Sequence, residues 1–155
     1  MASTFKHRNL PHLLLRARET FMAGFRPLLR EHGLSEQQWR VLRTLNDMGD
    51  MEPNQLADAC LILSPSLTRM LAAMAESEMI VRTRSSVDQR RQVISLTPKS
   101  REFIAKVEPQ VDAEYARIEA LLGRARLDGL YAILDESILA METHSPMARL
   151  ADDEE

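Results

Sequence analysis

The sequence predicts a mainly α-helical protein that carries one small β-hairpin. Apolar residues step by three and four over most of the chain, which is the helical period. The period changes in one place only: Ile80-Val81-Arg82-Thr83-Arg84 and Gln92-Val93-Ile94-Ser95-Leu96 are β-branched or alternating and flank the polar stretch Ser85 to Arg91. The charge is uneven as well. The 155 residues sum to −3, but the balance is neutral from Met1 to Val81, +5 from Arg82 to Lys106 and −8 from Val107 to Glu155. The hairpin thus sits in one short basic segment of an otherwise neutral-to-acidic chain.

The elements follow in order. Leu10, Leu14, Ala17, Phe21, Phe25 and Leu28 define a first helix from about Leu10 to Glu31, ended by Gly33 and kinked near Ala23 to Arg26 by Pro27. Ser35-Glu36-Gln37-Gln38 is a capping-box pattern that opens a second helix, which stops near Asp47 to Gly49. Glu52-Pro53 opens a short third helix with Leu56, Ala57 and Cys60 inward. Ser64-Pro65 repeats the cap-then-proline signal, and Leu67, Leu71 and Met74 give a fourth helix, from about Pro65 to Ser77, its buried face. After the hairpin, Thr97-Pro98 caps a fifth helix, with Ile104, Val107, Val111, Tyr115, Ile118 and Leu122 along one stripe. Gly123 interrupts it, and a sixth helix places Leu127, Leu130, Tyr131, Leu134, Ile138 and Met141 on one side.

Three short helices followed by a hairpin is the winged helix-turn-helix order, in which the last helix of the set enters the major groove and the hairpin reaches sideways. The long terminal helices are not needed for that module, and a second copy of the chain best completes their apolar stripes. The expected organisation is a single domain over 1–155: a DNA-binding lobe at about 35–97, a helical dimerisation lobe at about 8–33 and 98–143, and a flexible acidic tail at 144–155. A two-fold dimer would present two reading helices to a pseudo-palindromic stretch of double-stranded DNA.

Composition excludes several other classes. Hydrophobic residues at 45% and charged residues at 28% fit a globular domain, and the apolar runs are too short to span a bilayer, so no membrane partner is expected. The N-terminus has charge on both sides of its apolar patch, which is not a secretory pattern, so a cytoplasmic protein is expected. One Cys and four scattered His offer neither a disulfide nor metal-ligand spacing, and no cofactor is expected. No Ser/His/Asp or Cys/His set and no glycine-rich phosphate loop is readable, which argues against an enzyme with catalytic residues.

The stretch Leu63-Ser64-Pro65-Ser66-Leu67-Thr68-Arg69-Met70-Leu71, then Ile80-Val81-Arg82, then Asp88-Gln89-Arg90-Arg91-Gln92-Val93-Ile94-Ser95-Leu96-Thr97, resembles the MarR family of bacterial transcriptional regulators. Ala17-Arg18-Glu19, Phe25-Arg26-Pro27 and Gln37-Gln38-Trp39-Arg40-Val41-Leu42-Arg43 further resemble the branch that represses homoprotocatechuate and hydroxyphenylacetate degradation operons. One departure is Glu78, where the family usually has Gly at the end of the recognition helix. Glu can end a helix without left-handed geometry, so a different turn is expected there.

The resemblance assigns Arg90 to the minor groove and gives Asp88 the task of holding the wing's shape through ion pairs. An arginine at a hairpin tip suits a narrow, electronegative minor groove. Arg84 and Arg91 are expected on phosphates. On the recognition helix, Ser64 and Ser66, either side of Pro65 in the same DNA-facing turn, lie where backbone N–H groups point outward to phosphate, while Thr68 and Arg69 are placed to reach base edges, Arg69 by a bidentate contact to guanine. A merely solvated hairpin, and a serine that only caps its helix, are the plainer alternatives.

In the resembling family, ligands bind between the dimer helices and the DNA-binding lobe. Glu36, Trp39 and Arg43, at i, i+3 and i+7, give one face of the second helix an acid, a ring and a cation. Met22, Phe25 and Leu29 share a face of the first helix, Val111 and Tyr115 lie a turn apart on the fifth, and Asn9 and His12 are placed to lean in from the other subunit. A small phenolic acid such as a hydroxyphenylacetate needs a cation, a hydroxyl partner and flat apolar walls, and this set contains all three. Ordinary core packing is the competing reading of the same residues. The expected function is a homodimeric repressor of a catabolic operon, released from operator DNA by such an acid. The rivals are a winged-helix adaptor that contacts protein rather than DNA, and a redox-responsive regulator of the same family. Cys60 argues against the last, since nothing basic neighbours it in sequence.

Overall fold

A computed structural model describes residues 4–144; of the expected acidic tail, all but His144 lies outside the described residues. The elements are α1 (Leu10–Glu31), α2 (Glu36–Met48), α3 (Pro53–Cys60), α4 (Ser64–Glu76), β1 (Ile80–Arg84), β2 (Gln92–Leu96), α5 (Pro98–Leu122) and α6 (Arg124–Thr143). The chain is thus mainly helical with one antiparallel hairpin, in the predicted order. The sequence divides into two compact units, Met1–Val111 and Asp112–Glu155. α1 and the first half of α5 fall in the same unit as α2, α3, α4 and the hairpin. Among the described residues, no single helix is long and apolar enough to cross a membrane.

The core of the first unit is built from the inward faces the periodicity marks. Val41, Leu42 and Leu45 of α2, Leu56, Ala57 and Cys60 of α3, and Leu67, Leu71 and Met74 of α4 are buried together with Ile80, Ile94, Leu96 and Ile104. The hairpin pairs in register from Ile80↔Leu96 to Arg84↔Gln92. Met51 adds an isolated bridge to Ile94, donating its N–H to the Ile94 carbonyl at 3.2 Å and accepting from Ile94 at 2.8 Å. That bridge pins the wing's second strand to the segment between α2 and α3, so the wing is anchored on its core side and free at its tip.

Capping follows the sequence at α2, α3 and α5, adds an unexpected cap at α1 and departs from the expectation at α4. Asn9 caps α1, its side chain accepting from the His12 N–H at 3.0 Å. Ser35 and Gln38 form the reciprocal box at α2, at 3.1 and 3.0 Å. Gln55 accepts from the Glu52 N–H at 3.0 Å at the start of α3. Thr97 and Ser100 cap α5 reciprocally, Thr97 N–H to Ser100 Oγ at 2.9 Å and Ser100 N–H to Thr97 Oγ1 at 3.1 Å. At α4 the helix begins one residue earlier than expected: Leu63 is the N-cap, without a side-chain cap bond, and Ser64 is already helical.

Three helices end in the same wiring, in which one residue adopts left-handed geometry and its successor donates back to the carbonyl five residues earlier. At α1 this is Gly33 (φ 69°), with Leu34 N–H to Leu29 O at 2.9 Å. At α3 it is Leu61 (φ 53°), with Ile62 N–H to Ala57 O at 3.0 Å. At α4 it is Glu78 (φ 60°), with Met79 N–H to Met74 O at 2.9 Å. The expectation that Glu78 would avoid left-handed geometry is therefore overturned. The turn keeps the conformation a glycine would favour, and α5 holds it there. Thr97 Oγ1 donates to the Glu78 carbonyl at 2.6 Å, and Lys99 Nζ donates to the Ser77 carbonyl at 2.9 Å.

In the second unit, Ile118 is buried, but no described residue of α6 is. The predicted stripe of α6 instead leaves Tyr131, Ile138 and Met141 exposed.

Two stability measurements test this packing. Glu78→Gly removes left-handed strain of about 1–2 kcal/mol and adds backbone entropy worth roughly 0.5–1 kcal/mol, so the urea midpoint is expected to rise slightly. Leu71→Ala opens a cavity beneath α4 and is expected to lower stability by about 2–5 kcal/mol in the same titration.

Candidate nucleic-acid interface and effector site

Burial of Leu67, Leu71 and Met74 fixes the rotation of α4 and turns Ser64, Pro65, Thr68 and Arg69 to solvent, with Ser66 half-buried. The Thr68 hydroxyl donates to the Ser64 carbonyl at 2.9 Å, which leaves its oxygen able to accept. Among the described residues, the side chains of Ser64, Ser66 and Arg69 make no hydrogen bond or ion pair. Pro65, Thr68 and Arg69 share one exposed face of α4, with Ser64 exposed at the first residue of the helix and Ser66 half-buried to the side.

The wing is shaped by hydrogen bonds at its tip. Ser85 N–H donates to the Arg91 carbonyl at 2.9 Å, Arg91 N–H to the Asp88 carbonyl at 3.0 Å, and Val87 N–H to Ser85 Oγ at 3.2 Å. Asp88 accepts the Arg90 N–H at 3.0 Å, and among the described residues it forms none of the ion pairs expected of it. The reason is local. An Asp side chain readily accepts from the backbone two residues on, and a backbone N–H is fixed where a guanidinium is not. Arg84 donates to the Gln89 carbonyl at 3.1 Å, and Arg91 lies 3.5 Å from the Glu52 carboxylate at the start of α3. The Arg90 guanidinium makes no hydrogen bond or ion pair among the described residues and is exposed at the tip.

The residues singled out for an effector divide between the two units. Met22, Phe25, Leu29, Glu36, Trp39, Arg43 and Val111 belong to the first, and Tyr115 to the second. Phe25, Leu29 and Val111 are buried; Met22 and Trp39 are half-buried. Asn9 and His12 are exposed and bonded to each other in the cap of α1.

Both oxygens of Glu36 are engaged. Arg18 Nη2 donates to one at 2.9 Å and Arg26 Nε to the other, while both arginines also donate to Glu19, Arg18 at 2.9 Å. The four side chains close a ring of alternating charge between α1 and the first turn of α2. The Arg26 hydrogen bond, then that of Arg18, holds the Glu36 carboxyl below its ordinary range, against a smaller effect of burial. Sequence reading gave Arg18, Glu19 and Arg26 no role, although Glu19 and Arg26, at i and i+7, share a helix face. A cavity of about 290 Å³ beside this ring is lined by Arg26, Leu29, Arg30, Leu34, Ser35 and Glu36.

Arg43 Nε donates to Asp47 at 2.6 Å, one turn along α2. Burial alone would push the Asp47 carboxyl up, but the hydrogen bonds from Arg43 and Asn46 outweigh it and hold it down. Cys60 is fully buried, and burial pushes its thiol up; the Thr44 hydrogen bond and the Arg40 charge offset this only in part. A buried, protonated thiol is a poor redox sensor. Arg40, which donates to the Cys60 carbonyl at 2.8 Å, is the basic neighbour that sequence order hides. Among the described residues, no group of three His, Cys, Asp or Glu stands close enough to hold a metal ion.

A family model for the MarR family matches residues 34–91, the span from the start of α2 to the wing tip. The homoprotocatechuate degradative operon repressor of Escherichia coli is 36% identical over 85% of this chain and 89% of its own. The chain belongs to the MarR family. Members of this family are transcriptional regulators, so the protein is a regulator and not an enzyme. Among solved structures, NadR in complex with 4-hydroxyphenylacetate is 35% identical, with a TM-score of 0.80 over 88% of this chain and 96% of that one. The transcriptional repressor CouR bound to a 23-mer DNA duplex is 29% identical, with a TM-score of 0.76 over 84% of this chain and 92% of that one. The helix-turn-helix and wing described above thus share their fold with these regulators.

The charge ring predicts a pH dependence. A carboxyl whose folded pKa is depressed adds stability above its ordinary value, 4.5 for Glu36, and loses it as the pH falls through the folded value. Thermal midpoints should hold steady near neutrality and fall on acidification, and Glu36→Gln should make that fall shallower. An unchanged acid limb would remove the ring from the stability of the α1–α2 corner.

Proposed function

We propose that the protein is a homodimeric repressor of an aromatic catabolic operon. It binds a pseudo-palindromic operator through α4 and the wing, and is released by a small phenolic acid such as a hydroxyphenylacetate. The observation that carries the DNA reading is the free guanidinium of Arg90, set at the tip of a hairpin whose backbone Asp88 locks, beside the outward face of α4. A fixed backbone with an unpaired cation loses no internal partner when it enters a minor groove. A repressor of this kind works where chromosomal DNA is, which places it in the cytoplasm.

Dimerisation is supported within each unit by apolar side chains left in water. Leu10, Leu14 and Leu15 are exposed at the start of α1, and Ile133, Ile138, Leu139 and Met141 along α6. Covering such faces with a second copy recovers on the order of 25 cal/mol per Å².

For the effector, the complex of NadR with 4-hydroxyphenylacetate supports the ligand class, and the first unit supplies matching groups: Arg43 for a carboxylate, Trp39, Met22, Phe25, Leu29 and Val111 for the ring, and Glu36 for a hydroxyl. Arg43 already pairs with Asp47, so the incoming carboxylate shares or replaces an existing partner.

Two experiments test the proposal. Arg90→Ala should leave the thermal midpoint unchanged, weaken operator binding and reduce the salt slope by about one charge; wild-type affinity would remove the wing from the mechanism. Arg43→Met should cost about 1.5–3 kcal/mol of affinity for 4-hydroxyphenylacetate by calorimetry while DNA binding without ligand persists. Unaltered affinity would place the ligand elsewhere.

A further inference from the structure

The turn that joins α3 to α4 breaks two local preferences at positions two apart. Leu61 holds left-handed geometry at φ 53° and ψ 47°, in the same hydrogen-bond wiring that α1 completes with Gly33 at φ 69°. A glycine does that job without strain. Leu63 occupies the N-cap of α4 and makes no side-chain cap bond there, where Ser, Thr, Asp or Asn would satisfy a free backbone N–H. Neither leucine is repaid by burial. Leu61 is 86% exposed and Leu63 is 79% exposed, whereas Ile62 between them packs against the core. The fold thus needs one apolar residue in this turn, and the sequence supplies three.

Strain and exposure that serve no packing mark a surface held for a partner. The position says which partner. Leu63 directly precedes Ser64 and Pro65, and the outward face of α4 continues from it through Thr68 to Arg69. In the major groove one base offers an apolar handle, the C5 methyl group of thymine. We infer that Leu61 and Leu63 form an apolar pair that reads thymine methyl groups at the edge of each operator half-site. The inference rests on the reading of the chain as a DNA-binding regulator and adds to it a sequence preference at named residues.

Leu61→Gly and Leu63→Ser remove the side chains while supplying the residues the backbone prefers, so the double variant should melt at or above the wild-type temperature. The probe is a duplex recovered from a random pool by the full-length wild-type protein, with its thymines replaced one at a time by deoxyuridine, which deletes only the methyl. At one or more thymines in each half-site, replacement should weaken wild-type binding about fourfold, the effect of one buried methyl-sized group. It should leave the double variant unaffected. A recovered duplex that tolerates deoxyuridine everywhere, or a penalty that survives in the double variant, overturns the inference alone and leaves the leucines to a protein partner. Failure to recover any duplex overturns the operator reading and this inference together.

Discussion

The apolar face of α4 sets most of what the first unit does. Leu67, Leu71 and Met74 are all at most 3% exposed, and a helix with one face fixed has no rotational freedom left for the other. At 100° per residue, burying those three positions points Arg69 away from the core and sets Thr68 at the edge of the outward face, while Ser64 is exposed as the first residue of the helix. α2, α3 and the hairpin supply the complementary surface, which is why the outward face needs no residues of its own to orient it. A cavity under α4 would therefore loosen the interface as well as the fold.

The wing solves a different problem with different means. A two-stranded hairpin is marginal alone, and this one is steadied at its base by the Met51–Ile94 bridge and the buried Ile80, Ile94 and Leu96. At the tip the bonds run from backbone to side chain, through Ser85 and Asp88, and leave the Arg90 guanidinium unbound. Arg91 and Arg84 are spent differently, one near Glu52 and the other on the Gln89 carbonyl. Of Arg84, Arg90 and Arg91, the fold leaves Arg90 unpaired among the described residues.

Order and type of every element, and the inward faces of α2, α3 and α4, were legible in the sequence because periodicity and capping agree there; the stripe read on α6 is exposed. Leu56, Ala57, Cys60, Leu67, Leu71 and Met74 all lie where the period puts them. The departures share one cause: each turns on a partner distant in sequence or on a choice between equivalent local solutions. Ser64 reads as a cap because Ser-Pro does so elsewhere, yet Leu63 takes the position. Glu78 reads as a residue that avoids left-handed geometry, yet Thr97, 19 positions on, bonds its carbonyl there. Arg18 and Arg26 carry no visible role until α2 brings Glu36 between them. The apolar effector candidates Phe25, Leu29 and Val111 show the converse limit, since core and pocket wall require the same residues at the same spacing.

The two ends of α4 are built on opposite economies. Its C-terminal turn stores strain at Glu78, but α5 grips that turn twice, Thr97 on the Glu78 carbonyl and Lys99 on the Ser77 carbonyl. Strain persists where surroundings over-determine a conformation, and here the surroundings are the first turn of α5, itself fixed by the buried Ser100. Any displacement of that first turn acts on the end of α4 through two hydrogen bonds, without a change in the core. At the N-terminal end, the residues flanking the start of α4 are neither gripped nor buried: Leu61 and Leu63 point into water and Ser64 bonds nothing through its side chain among the described residues. One end of α4 is thus tied to the first turn of α5, and the other is held by neither burial nor a side-chain cap bond.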